Sequence, residues 1–430
     1  MARRGTRPGE GAARRRRRTA TWVVATVAGL AVAGAVATWA AVRHPVAPPT
    51  AGPTSSSSPT GPTSSGPSSS PSSSPSPTPA PTSSAPAVDP LAGWSLEQKV
   101  GQLFVVGLDL GAGKPVSTQA VTQDHVGNVF LHGRSTAGLA AVKSQVDGFT
   151  GLVSQATTHG ERMLVAVDQE GGQVQSLQGP GFSRIPAATV QATVAPDELR
   201  AEATAWGRQL AAAGVNWNLA PVMDLVPASS AAKNPPIGAL QRNYGTTAQS
   251  VTEHAGAFVA GMTSAGVATA IKHFPGLGYV TANTDATAGV TDTVTGFDSP
   301  AVGVFRAGVQ AGATTVLMST AVYAQMDPTA PAAFSAKVVQ HGVREVLGFQ
   351  GVVVTDDLSG AAQVAAWSPG QRAVDAIAAG CDMVLFSKDP TVVHAAVAAV
   401  VAKAKADPAF AARVDESARR VLALKAQLLG

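Results

Sequence analysis

Cysteine is almost missing from this chain. Cys381 is the only one in 430 residues, so no intramolecular disulfide can form, and oxidising surroundings are neither required nor excluded. Metal-ligand spacing is missing as well: the eight histidines are scattered, and no metal or organic cofactor is implied. A phosphate-binding loop is present only in part. Gly276-Leu277-Gly278 lacks a third glycine in place, and no acid follows at the next strand end. This argues against a dinucleotide site and leaves a loop requirement. Acids are nearly absent from the first 43 residues, which hold Glu10 against nine arginines. The formal charge of +4 is therefore misleading, because the remainder carries 22 Lys and Arg against 26 Asp and Glu. A nucleic-acid-binding domain would be expected to be basic, so nucleic acid is not an expected partner.

The N-terminal end has an organisation of its own. Residues 1–20 read as a basic cytoplasmic tail containing the run Arg14 to Arg18. Residues 21–42 carry no charge and are mostly Ala, Val, Gly and Trp. At about 1.5 Å of rise per residue, some 20 such residues span a bilayer core. The expectation is a transmembrane signal-anchor, with the arginines kept cytoplasmic and the rest of the chain outside. The competing reading is a cleaved signal peptide, with Ala35-Val36-Ala37 as the small-residue site. No cysteine follows the apolar run, which argues against a lipid anchor. Residues 43–88, rich in Pro, Ser and Thr, cannot bury a core and read as an extended, disordered linker.

Residues 89–430 read as one domain. Short apolar runs occur at 102–108, 126–132, 163–168, 215–221, 267–273, 314–319, 351–356 and 381–387. Alanine-rich stretches with helical spacing lie between them, as at 199–213, 248–265, 336–347 and 371–379. Alternating strands and helices imply a parallel sheet, and eight repeats imply closure into a single α/β, (β/α)8 TIM-type barrel. A doubly wound open sheet is the rival. In such barrels chemistry sits at the C-terminal ends of the strands. Here those ends are polar: Asp168-Gln169-Glu170, Lys272-His273 and Thr355-Asp356-Asp357.

Each polar end has a plain reading beside a chemical one. In "GVVVTDDLSG" one aspartate is expected to cap a helix over the residues that follow. Asp356, at the strand tip, is the candidate catalytic carboxylate. "VAVDQEGG" reads on its own as a polar turn, with two glycines that allow close approach of the backbone. Arg242 in "QRNYG" reads on its own as a surface charge.

Together, "VAVDQEGG", "GVNWNLAPVMDL", "RNYG", "AFVAGMTSAGVATAIKHFPGLG", "LGFQGVVVTDDLSG" and "AGCDMVL" resemble glycoside hydrolase family 3, in its β-N-acetylhexosaminidase branch. The likeness covers nearly all of residues 91–430. It implies a (β/α)8 barrel that releases terminal N-acetylglucosamine from β-linked glycans, including cell-wall muropeptides. It implies that Asp356 is the retaining nucleophile. Lys272, His273, Asp168 and Arg242 would bind the terminal sugar. The expected partners are a β-linked amino-sugar glycan, the cell wall, and the cytoplasmic membrane through the N-terminal anchor. The expected state is a monomer with its catalytic domain outside the cell membrane.

The chain also departs from the family pattern. The family loop usually reads "GHG…DSH", with an Asp–His pair supplying the proton. Here Leu277 replaces the first histidine, and Asn283-Thr284-Asp285 stands where Asp-Ser-His is expected. Asp285 is thus the candidate acid/base. Gln173 replaces the arginine of "EGGRV". Three alternatives stay open: a β-glucosidase or β-xylosidase, a wall-glycan-binding protein with impaired catalysis, and a variant in which phosphate replaces water.

Overall fold

The computed structural model describes residues 89–111 and 115–430. The basic tail, the apolar run and the linker expected in residues 1–88 lie outside the described residues. Among the described residues, no helix is long and apolar enough to cross a membrane.

Eight parallel strands close into a barrel: β1 (Phe104–Asp109), β2 (Asn128–His132), β3 (Leu164–Val167), β4 (Trp217–Asn218), β5 (Ala268–Phe274), β6 (Thr315–Met318), β7 (Val352–Asp357) and β8 (Met383–Phe386). Each strand pairs with its sequence neighbours, and β1 joins β8 to close the ring, so the open sheet is excluded. All eight strands fall on the apolar runs read from sequence. The four helical stretches appear as well, at Pro196–Ala212, Ala248–Ser264, Lys337–Val346 and Pro369–Ala379.

The runs look continuously apolar because both faces of every strand are buried. Alternate residues nevertheless go to different cores. Val105, Phe130, Leu164, Ala166, Trp217, Ala270, Leu317, Val354 and Leu385 fill the barrel interior. Their neighbours Val106, Val129, Val165, Ile271, Val316, Val353 and Val384 belong to the outer core that includes the helices.

The helix Pro408–Leu429 closes the N-terminal end of the barrel. Val421 and Leu424 join the interior cluster, and Leu428 and Leu429 pack against it. Two buried polar anchors fix the helix there. Arg413 and Arg420 bond to Asp382, which stands just before β8 and is wholly buried. Lys425 donates to Gln102 Oε1 at 2.6 Å and to Gly127 O at 3.0 Å.

Among the described residues no carboxylate lies within salt-bridge distance of Lys425, and burial pushes its ammonium down to about 7. The unfolded value is about 10.4. Between those values the unfolded chain binds more protons, so this group makes stability rise as pH goes from about 7 to 10. Lys425→Met removes that slope. Thermal unfolding of both chains should show the native Tm gaining several degrees on K425M between pH 7 and 10. Parallel curves would exclude an uncharged buried Lys425.

Candidate active site

At the C-terminal ends of the strands lies a cavity of about 230 Å³. Asp356, Asp285, Asp168, Arg242, Lys272 and His273 all line it, so the six residues singled out from sequence converge on one site. Its floor is apolar, with Phe130, Leu219, Leu317 and Leu385, and its rim includes His132, Ser387 and Lys388. General ligand pockets run from about 300 to 1,000 Å³, so this cavity suits a single sugar ring better than an oligomer.

One wall is a buried ion cluster. Lys272 Nζ lies 2.6 Å from Asp168 Oδ1 and 2.6 Å from Glu170 Oε1. Arg242 grips the same glutamate with two parallel bonds, Nε to Oε2 and Nη2 to Oε1, each 2.8 Å. Burial alone would raise the Glu170 carboxyl, but Arg242 and Lys272 overcome it and bring the value down to about 2. For Lys272, burial works to lower the value, yet Asp168 and Glu170 hold it above its ordinary range. This cluster explains how a strand tolerates a lysine that is 3% exposed. An ammonium has three protons, so two are engaged and one is left for a ligand. Asp168 is 31% exposed and gives only one oxygen to Lys272.

His273 is oriented by a second carboxylate. Its Nδ1 lies 2.7 Å from Asp224 Oδ2, and Asp224 Oδ1 accepts from the backbone N–H groups of His273 and Leu277. With Nδ1 turned to that carboxylate, the ring's other nitrogen, Nε2, is left facing Arg242. Arg242 Nη2 is 3.4 Å from that atom. The Lys272–His273 peptide bond is cis.

Asp356 lines the same cavity from the end of β7. Burial pushes its carboxyl up to about 6. His273, Lys272 and the N–H of Asp357 pull it back, whereas the charge of Asp285 adds to the rise. Two carboxylates that line one cavity therefore act on each other.

The helix cap expected from the Asp356-Asp357 pair is not there. Asp357 instead accepts from Ser359 N, Ser359 Oγ, Gly360 N and Ser387 N. Those bonds close a turn and tie β7 to the end of β8. A short aspartate that bonds its own following backbone competes with helix formation. The next α-helix starts only at Pro369, capped by Ser368.

The loop after β5 is built to stay in place. Asn234 Nδ2 donates to Leu277 O and Val280 O at 2.8 and 3.0 Å. A side chain at Gly278 would sit 1.9 Å from Leu225 O, so only glycine fits this close approach. The glycines thus serve the loop's fold, as read from sequence. Asp285 is exposed at the far end of the loop. Gln173, which stands where the family has an arginine, accepts through its backbone oxygen from Arg134 of the loop after β2.

Sequence reasoning named Glu170 only as part of a polar strand end, with no role, and missed Asp224. Glu170 stands two residues beyond Asp168, in the same motif. A buried lysine with an arginine beside it calls for two carboxylates, and that deficit was the available signal. Asp224 is the lone acid of an apolar stretch, "LAPVMDL", and is 0% exposed. A wholly buried acid needs donors, and His273 of β5 supplies one.

Residues 95–424 match the family profile described as the glycosyl hydrolase family 3 N-terminal domain. The chain is similar to a protein of Vibrio cholerae called beta-hexosaminidase. They are 34% identical over 286 residues, covering 66% of this chain and 81% of that one. Its fold is similar to the crystal structure of a beta-N-acetylhexosaminidase from Beutenbergia cavernae. The TM-score is 0.76 at 58% identity, covering 77% of this chain and 98% of that one. A family 3 beta-N-acetylglucosaminidase from a Paenibacillus species gives a TM-score of 0.70 at 30% identity, covering 77% and 62%. The ring of eight strands, the acidic strand tips and these likenesses agree: the chain is a member of glycosyl hydrolase family 3.

Proposed function

We propose that this protein is a retaining exo-β-N-acetylhexosaminidase acting on terminal β-linked N-acetylglucosamine of cell-wall-derived glycans. The observation that carries the proposal is that Asp356 and Asp285 line one cavity of single-sugar size together with a fixed array of charged donors and acceptors. The similar proteins named hexosaminidases support the choice of sugar.

In this reading Lys272, Asp168, Arg242 and His273 hold the hydroxyls of the terminal sugar. A carboxylate oxygen of Asp356 attacks the anomeric carbon. The bond from that carbon to the leaving oxygen breaks, and Asp285 gives that oxygen its proton. Asp285, now a carboxylate, takes a proton from a water that attacks the same carbon and frees Asp356. Asp285 is exposed, and a bound aglycone would cover it, as a carboxyl holding a proton near neutral pH requires.

A panel of aryl glycosides tests the reading. N-acetyl-β-glucosaminide should be cleaved well ahead of β-glucoside and β-xyloside, and a slow fluorosugar should label Asp356. Faster cleavage of glucoside would move the protein to a different sugar. Binding without any turnover would leave a wall-glycan receptor, and a rate raised by added phosphate would make phosphate the acceptor.

The pH dependence follows from the same geometry. Asp356 must be ionised to attack, and its carboxyl is raised to about 6. The value of kcat/KM should therefore fall about tenfold per pH unit below that point. A profile that stays flat down to pH 4 would remove Asp356 from the attacking role.

The N-terminal residues suggest a place for the reaction. An arginine-rich start, an uncharged apolar run and a Pro/Ser/Thr-rich spacer fit a catalytic domain tethered outside the cytoplasmic membrane, within reach of the wall. Fractionation of cells carrying the full chain tests this: activity in the membrane fraction supports the tether, and activity in the medium supports cleavage.

A further inference from the structure

The loop carrying Asp285 does not stand alone. Four hydrogen bonds join it to the segment that follows the Asp356 strand. Two are between backbones: Ala362 N donates to Asp285 O at 3.2 Å, and Gln363 N donates to Thr284 O at 3.0 Å. The other two come from one side chain. Gln363 Oε1 accepts from Val290 N at 2.8 Å, and Gln363 Nε2 donates to Val290 O at 3.2 Å.

Gln363 is buried, at 5% exposure, and so is Val290, at 4%. A buried primary amide must find partners for both ends. Here both ends close on one residue of the other loop, which is how a strand edge is paired. Val290 O also accepts from Val322 N, where a small sheet of residues 291–292, 322–323 and 327–331 begins. Asp285 lies five residues before this clamp, and Asp356 lies seven residues before Gln363. Any displacement of one carboxylate's loop is thereby passed to the segment beside the other.

We propose that Gln363 is a positioning residue that fixes the Asp285 carboxyl relative to Asp356. This rests on the reading of Asp285 as acid/base given above. The clamp acts on the proton-transfer step and leaves the sugar wall alone, since Lys272, Asp168, Glu170, Arg242 and His273 are held by bonds of their own. A displacement of about 1 Å in a catalytic group can cost about 100-fold in rate. With the two backbone bonds retained, a smaller loss is expected.

The experiment compares Gln363→Met, which keeps side-chain length and loses both amide bonds, with the native chain and with Asp285→Ala. Two substrates are used: a 2,4-dinitrophenyl N-acetyl-β-glucosaminide, whose leaving group needs no proton, and an alkyl glycoside, which does. For Q363M, kcat/KM should fall about tenfold on the alkyl glycoside. It should stay within about twofold on the dinitrophenyl one, with KM little changed on the alkyl glycoside. A purely structural role would lower both alike, and that result overturns the proposal, as does no loss on either. If Q363M loses its fold, Gln363→Glu keeps the bond from Val290 N and is read by the same ratio. If D285A itself shows no dependence on the leaving group, the acid/base reading fails. If D285A shows it and the Gln363 variants do not, only the clamp fails.

Discussion

Asp356→Asn is expected to abolish turnover, by at least about 10⁴-fold, while leaving the barrel folded and more resistant to heat. The first half follows from the reaction proposed. Asparagine keeps the shape of the side chain and can still accept from Asp357 N, but it cannot form the glycosyl ester. The second half follows from burial. The Asp356 carboxyl is raised to about 6, against about 3.9 in the unfolded chain. The folded state therefore holds the proton more tightly than the unfolded state. Stability falls as pH rises from about 4 to 6, and the full cost persists above pH 6. A neutral amide removes that cost, so the Tm of D356N at pH 7 should exceed the native value by a few degrees. Calorimetry and an aryl-glycoside assay on one preparation read both effects. A variant that is inactive but less stable would mean that Asp356 is held by contacts as well as required for chemistry. Measurable turnover by D356N, free of native contamination, would place the nucleophile elsewhere.

Asp285→Ala should give the second largest loss, and one that depends on the substrate. General acid catalysis contributes roughly 10²–10⁴-fold. On an alkyl glycoside kcat/KM should fall by that amount, because the leaving oxygen departs without a proton. On a dinitrophenyl glycoside the first step should proceed almost unchanged. The glycosyl-enzyme then accumulates, since no base activates water. Azide needs no such base, so it should attack the anomeric carbon, release Asp356 and form the glycosyl azide. Recovery of kcat with added azide, together with that product, would assign Asp285. Equal losses on both substrates, with no azide product, would require another proton donor at the rim.

The barrel was legible because a strand buried on both faces leaves an unmistakable run of apolar residues. Val352-Val353-Val354 needs no context to be read as a strand. The site was legible at the strand tips, where polarity breaks those runs. Partnerships across the mouth were harder to read. Glu170 and Arg242 are 72 residues apart, and Lys272 and Asp168 are 104 apart, so local pattern says nothing of their meeting. Gln363 was invisible for the same reason, since its two bonds reach back 73 residues. The expected cap at Asp356-Asp357 failed differently. The local rule for an aspartate after a strand has two outcomes, a helix cap or a closed turn. Here Ser387, from the next strand's end, decided for the turn.

The ion cluster around Lys272 has a consequence for how the protein would meet a change of pH. Glu170 ionises near 2, and Lys272 is held protonated beyond its ordinary range. The wall proposed to hold the sugar thus keeps these charges through mild acid and mild alkali, while Asp356 in the same cavity does not. As its surroundings acidify, the protein would pass from a catalyst to a holder of chain ends: sugar still seated, bond uncut, release governed by dissociation alone. Recognition and reaction share one cavity but answer to different protons.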